Sequence, residues 1–215
     1  MEERFRESAE RARESIERGR HAPSTFRAIL VDVPPSERDA WVDLVLGLDE
    51  LHDDGPALPP DGVPYLPSSV DVLLRMVDAA DLRASDVFVD VGSGPGRAVA
   101  FVHLLTGAGA IGIEIQPALV RAARDLTSRL HLSAISLVEG DAATLAGRMT
   151  TGSVFFLYCP FSGARLAKVL DDLEPIARTR TLHLCCVNLP LPPRRWLTRK
   201  PGGSEDLVVY QTCAR

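Results

Sequence analysis

The residues best placed for chemistry in this chain are glycines at alternate positions with a carboxylate just ahead of them. The run Val89-Asp90-Val91-Gly92-Ser93-Gly94-Pro95-Gly96-Arg97 lets the backbone turn sharply and meet a ligand with no Cβ in the way. Asp90 sets a negative charge beside whatever the loop cradles. A pyrophosphate gains nothing from that neighbour, whereas a cationic ligand does. The dinucleotide spacing G-x-G-x-x-G needs its third glycine at position 97, which is Arg97; the third glycine comes one residue sooner, at Gly96. Two more carboxylates follow later segments. Glu114 closes the run from Ala110, and Asp141 follows Ile135-Ser136-Leu137-Val138-Glu139-Gly140. Carboxylates accept hydrogen bonds from hydroxyl and amino donors. Singly, Glu114 reads as a solvated strand-end acid and Asp141 as a helix N-cap before Ala142. Three acids in step with one glycine loop read as a single polar ligand site.

The elements that must position them follow from periodicity. Short apolar runs at Val87–Val91, Ala110–Ile115, Ile135–Val138, Val154–Tyr158 and Thr181–Val187 read as strands. Helical patterns alternate with them, one capped by Ser68 with Val70, Leu73, Leu74 and Val77 inward, one from Pro117 to about Leu130, and one over Ala164–Ile176. Segments at Trp196–Thr198 and Leu207–Thr212 read as an antiparallel hairpin. The expected fold is α/β: a Rossmann-like, doubly wound, mostly parallel sheet with an antiparallel C-terminal hairpin, plus N-terminal helices. In such sheets ligands bind at the carboxyl ends of the strands.

Ahead of that core, residues 1–20 carry Glu/Arg pairs at i,i+4 (Glu2/Arg6, Glu7/Arg11, Glu14/Arg18) around a thin stripe of Phe5, Ala9, Ala12 and Ile16, a solvated surface helix. Pro34-Pro35-Ser36 sets up an N-cap for a second helix with Trp41, Leu44, Val45 and Leu48 on one face. The proline- and glycine-rich stretch from Asp53 to Pro67 is the clearest boundary. Residues 1–60 are therefore expected to be a helical extension, a lid or substrate-binding element, and residues 61–215 the ligand-binding domain.

Composition narrows the partners. With 215 residues, 46% hydrophobic and 25% charged, the chain can bury a sizeable core. Its net charge of −5 offers no global field for nucleic acid or anionic lipid, although a local basic patch remains open. No run reaches the ~20 apolar residues of a membrane span. Cys159, Cys185, Cys186 and Cys213 show no zinc spacing, so no metal is expected, and reduced thiols fit a cytoplasmic protein. His103 reads as structural.

The glycine loop, with Gly112-Ile113-Glu114-Ile115 and Glu139-Gly140-Asp141-Ala142, resembles the class I S-adenosylmethionine-dependent methyltransferases from about Pro64 to the C-terminus. That resemblance implies S-adenosylmethionine as cofactor. It puts Asp90, Gly92, Ser93, Gly94 and Gly96 at its methionine and ribose parts, Glu114 and Ile115 at the ribose hydroxyls, and Asp141 and Ala142 at the adenine. Val63-Pro64-Tyr65-Leu66-Pro67-Ser68-Ser69 is similar to the Tyr-x-Pro-Ser/Thr segment of the DOT1-type protein-lysine methyltransferases, which implies Tyr65 and Ser68 at the methionine end and the proline-rich loop as a lid. Tyr158-Cys159-Pro160-Phe161 keeps the Pro-aromatic end of the Asn/Asp-Pro-Pro-aromatic tetrad of amino-group methyltransferases but lacks its first polar residue, which argues against an adenine methyltransferase on nucleic acid. Tyr158 and Tyr65 are the candidate catalytic residues, orienting an amine; Asn188 after the fifth strand is a candidate polar contact. The expected acceptor is a protein lysine or a small molecule. A non-catalytic cofactor-binding protein and an NAD-dependent oxidoreductase are the alternatives of other classes; the oligomeric state is not legible.

Overall fold

The computed structural model describes residues 1–48, 63–201 and 204–213. Most of the proline-rich stretch, and with it the boundary at residue 60 and the lid, lies outside the described residues; its end, residues 63–67, is irregular chain.

Five runs rich in branched and aromatic side chains form parallel strands in the order β3-β2-β1-β4-β5: β1 (Val87–Val91), β2 (Gly109–Glu114), β3 (Ile135–Glu139), β4 (Val154–Tyr158) and β5 (His183–Val187). β7 (Leu207–Thr212) runs antiparallel to β5, and β6 (Leu197–Arg199) antiparallel to β7 at the edge. The two central strands are buried on both faces. Phe88 and Phe156 point into one core with ring centroids 6.0 Å apart, while Val89 and Phe155 join the other, the period-two alternation of a pleated strand. Helices α4 (Val70–Ala80), α5 (Arg97–Thr106) and α6 (Pro117–Arg129) cover the first face, and α7 (Ala142–Leu145) and α8 (Gly163–Ala177) the second. The order reverses between β1 and β4, so a crevice opens at the carboxyl ends of these strands, near Asp90 and Tyr158.

The N-terminal helices α1 (Glu3–Glu17), α2 (Pro23–Asp32) and α3 (Arg38–Leu46) share the first core. The thin stripe of α1 is fully used: Phe5, Ala9, Ala12 and Ile16 are all buried, with α1 packed on α3. Phe26 of α2 lies 5.6 Å from Trp41 and 6.1 Å from Phe101 of α5, joining the extension to the sheet. No helix among the described residues is long and apolar enough to cross a membrane.

Several local expectations are corrected. The cap of α4 is Ser69, not Ser68: Ser69 is extended and accepts from the Val72 N–H at 3.3 Å, while the carbonyl of Ser68 is taken by Arg97. Pro34-Pro35-Ser36 makes a 3-10 turn over Pro35–Glu37 without a side-chain cap, because its successor Arg38 is already helical. Glu2 stands outside α1 and pairs with Arg4 at 2.9 Å rather than with Arg6. β5 starts at His183, two residues late, and Trp196 precedes β6. Helix α2 was not foreseen, since only Phe26 and Leu30 of its ten residues are buried and its apolar signal is weak.

Candidate active site

The crevice at the strand reversal is a cavity of about 370 Å³. Tyr65, Ser68, Asp90, Gly92, Ser93, Glu114, Ile115, Asp141, Ala142 and Tyr158 all line it, arriving from five segments. Gly94 and Gly96 do not. The loop is anchored by the Gly92 and Ser93 N–H groups, both donating to the Ile113 carbonyl at 2.9 Å. Gly94 has φ +53°, and a Cβ there would lie 2.3 Å from the ring of Tyr65. Its missing side chain therefore seats an aromatic ring on the loop. Gly96 (φ +87°) serves packing, since a Cβ would meet that of Ala123 on α6 at 3.1 Å. Gly94→Ala is expected to destabilise the fold by about 1–3 kcal/mol through overpacking. In a Tyr65→Ala background the cost should fall to about 1 kcal/mol of backbone strain. Urea denaturation of the four proteins in a double-mutant cycle checks this; additive effects would exclude the contact.

The acids are deployed unequally. Glu114 is buried, and its two carboxylate oxygens accept from the Gly94 and Gln116 N–H groups, each at 2.8 Å. Asp90 is 4% exposed; burial, reinforced by the nearby charge of Glu114, pushes its carboxyl well above the usual carboxylate range. A cation placed beside it would reverse that shift. The hydroxyl of Ser93, buried on the cavity wall, has no hydrogen-bond partner among the described residues. Asp141 caps α7, with Oδ1 accepting from the Ala143 N–H at 2.9 Å and from Arg165 at 2.6 Å. Arg165 in turn lies over the Phe161 ring at 5.4 Å. Asp141 thus has the capping role its sequence context allows and also faces the cavity.

Tyr65 and Tyr158 line the same cavity with Cys159, Pro160, Phe161 and Asn188. Burial raises the Tyr65 phenol far above its ordinary value, and the carboxylates of Asp43, Asp90 and Glu114 add to this against the opposing charge of Arg97. Tyr65 is consequently a neutral hydrogen-bonding group at physiological pH. Cys159 and Asn188, which follow β4 and β5 directly, both have φ +48°. Asparagine tolerates that region. Cysteine ahead of a proline does not readily, so the Cys159-Pro160 turn holds backbone strain where two strands deliver side chains to the cavity. Cys159 is a free thiol. His103 is structural, with Nδ1 2.8 Å from the Ala108 carbonyl.

Two functional-looking residues escaped the sequence reading. Arg165 carries no motif. Arg97 registered only as a departure from a glycine pattern, yet it is 4% exposed and donates to Asp43 (2.6 Å), to Asp39 (2.9 Å) and to the Ser68 carbonyl. The same Asp39 oxygen accepts from the Val70 N–H at 2.8 Å. Helix α3 therefore brackets the segment that lays Tyr65 on the glycine loop. The available signal was a cation at a helix N-terminus, where the dipole disfavours it unless acids answer it.

The sequence matches the family described as histone methylation protein DOT1 over residues 65–136, which carries the Tyr65 segment, the glycine loop and Glu114. No curated protein matches it. Among solved structures, the Escherichia coli protein yhhF aligns with a TM-score of 0.56 at 19% identity, covering 74% of this chain and 92% of that one. The S-adenosylhomocysteine-bound methyltransferase PaMTH1 of Podospora anserina aligns with a TM-score of 0.53 at 13% identity over 70% and 80% of the two chains. A methyltransferase from Geobacter sulfurreducens gives 0.52 at 21% identity over 69% and 81%. At these identities the structures speak for the fold, the Rossmann-like fold of class I methyltransferases; the family match adds the DOT1-like resemblance.

Proposed function

We propose that this chain, a class I S-adenosylmethionine-dependent methyltransferase of DOT1-like resemblance, methylates an amine and that its acceptor is a protein lysine. The observation carrying the acceptor is the lip of the cavity. Val63 and Leu66, 48% and 62% exposed, flank Tyr65 at the mouth, an apolar rim suited to the methylene stem of a lysine presented by another protein.

The residues present fit the cofactor. Asp90 is a buried carboxyl whose ionised form needs a cation, the Ser93 hydroxyl has no partner among the described residues, and Glu114 and Asp141 line the same cavity. In this reading Asp90 holds the amino group, Glu114 the ribose hydroxyls and Asp141 the adenine amino group. When bound, the sulfonium supplies a methyl carbon whose bond to sulfur breaks as a bond to the amine nitrogen forms, and the amine's proton leaves to solvent. Tyr158 and Tyr65 orient that nitrogen with their hydroxyls and exclude water from it. Within the expected extension, residues 1–60, helix α3 brackets the Tyr65–Ser68 segment, and the cavity residues fall within the expected domain, residues 61–215. The nicotinamide alternative loses its footing at position 97, where its fingerprint needs glycine and a pinned arginine stands.

No histidine lines the cavity among the described residues, and Tyr65 stays protonated, so the amine is expected to arrive already deprotonated. At saturating methyl donor, kcat/KM for the acceptor should rise tenfold per pH unit from pH 6 to about 9, set by a lysine of ordinary pKa near 10.4. A plateau near pH 7 would show instead a base within the protein. Tritiated cofactor incubated with the full chain and a cell lysate tests the acceptor. Label in protein, lost in Glu114→Ala, is the expected result. Label confined to low-mass material would select the small-molecule acceptor, which a cavity of about 370 Å³ also admits.

A further inference from the structure

The basic residues of this acidic chain are unevenly placed. Residues 178–204 contain six of its 24 lysines and arginines (Arg178, Arg180, Arg194, Arg195, Arg199 and Lys200) and no aspartate or glutamate, although the net charge is −5. Three of them converge on a second cavity, of about 580 Å³, where α8 ends and the edge of the sheet begins. Thr181 lies in its wall just before β5, whereas Asn188 just after β5 lines the first cavity. The two sites are thus at opposite ends of one strand, about 20 Å apart at roughly 3.3 Å per residue.

The charges there do not cancel. Arg178 is matched by Glu174 at 2.7 Å. Among the described residues the Arg180 side chain donates only to the carbonyls of Thr150 (3.1 Å) and Thr151 (2.9 Å), which fix the guanidinium without neutralising it. Arg195 has no carboxylate within ion-pair distance among the described residues. Two positive charges with no carboxylate partner among the described residues therefore line one cavity. Trp196 also lines this wall. A dianionic group with several oxygens answers both guanidinium charges, and phosphate suits their donor forks.

We propose that this cavity is a binding site for a phosphate monoester, distinct from the methyl-donor and acceptor site. A cavity of this size holds a small organic phosphate rather than a nucleic-acid backbone.

The chain has two tryptophans, Trp41 and Trp196, and so two indole N–H resonances. In the ¹⁵N-labelled full chain they are distinguished by Trp41→Phe. Titration with ribose 5-phosphate, and with inorganic phosphate in competition, should move the Trp196 signal saturably and leave that of Trp41 in place. Arg195→Gln and Arg180→Gln should each weaken the response about tenfold, the loss of one charge-assisted contact. S-adenosylhomocysteine should leave the Trp196 signal unmoved. Absence of a shift at about 10 mM ribose 5-phosphate, a millimolar limit on useful affinity, overturns the proposal. So does a shift that sodium chloride reproduces, one that both arginine variants retain, or one seen only with a single-stranded oligonucleotide.

Discussion

Asp90→Asn is expected to make the ligand-free protein more stable at neutral pH while weakening S-adenosylhomocysteine about a hundredfold, or about 2.8 kcal/mol. The two effects share one cause. Burial disfavours the ionised Asp90 carboxyl, as does the neighbouring Glu114, so its folded-state pKa lies above the unfolded value near 3.9. The folded protein therefore holds a proton that the unfolded chain releases. The stability associated with that proton is complete below about pH 3.9 and is lost as pH rises towards the folded-state value. Asparagine cannot ionise, so the variant should overtake the wild type progressively above about pH 4, with each kcal/mol showing as roughly 2–4 °C in Tm. Ligand binding reverses the balance, because the amino group of the ligand favours the carboxylate. Wild-type binding should release a proton over the same pH range, visible in calorimetry as a heat that depends on the buffer. The variant should release none. A destabilised Asp90→Asn protein with undiminished affinity would remove Asp90 from the site.

The second large effect concerns Arg97, whose partners are more exposed than it is. Arg97 is 4% exposed, while the side chains of Asp39 and Asp43 are 53% and 31% exposed. Burial opposes the Arg97 charge, and the hydrogen bonds and charges of Asp43 and Asp39 outweigh it. Replacing both acids by asparagine strands a buried cation and should cost about 3–5 kcal/mol. Arg97→Met leaves two carboxylates that water can reach, and should cost less, about 1–2 kcal/mol. Urea denaturation gives both values; the reverse order would mean that the cation is not the buried partner. Because the bracket holds the Ser68 carbonyl and the Val70 N–H, the double variant should also lose affinity for S-adenosylhomocysteine under conditions where it remains folded.

Much of the sheet was legible. Val87–Val91 and Val154–Tyr158 have the bounds their apolar runs imply, because strands buried on both faces admit few polar residues. The alignment of Asp90, Glu114 and Asp141 was legible for a related reason: in a parallel sheet the strands all end on one side, so an acid at each end converges with the others. The cap of α4 was off by one, since Ser68 and Ser69 are equivalent in sequence and only the claim of Arg97 on the Ser68 carbonyl distinguishes them. Helix α2 was invisible because two buried residues in ten make no periodic signal.

The amino-acid sequence alone determined the parallel α/β order, the acids that line the cavity and the thin stripe of α1, all of which rest on local spacing of residue types. Only the tertiary structure decided what Gly94 is for, what Arg97 holds and where the arginines of residues 178–204 converge. Each depends on contacts between residues tens of positions apart in the chain, where the identity of a partner is set by packing and not by spacing. Tyr65 on Gly94 and Asp39 on Arg97 are such pairs.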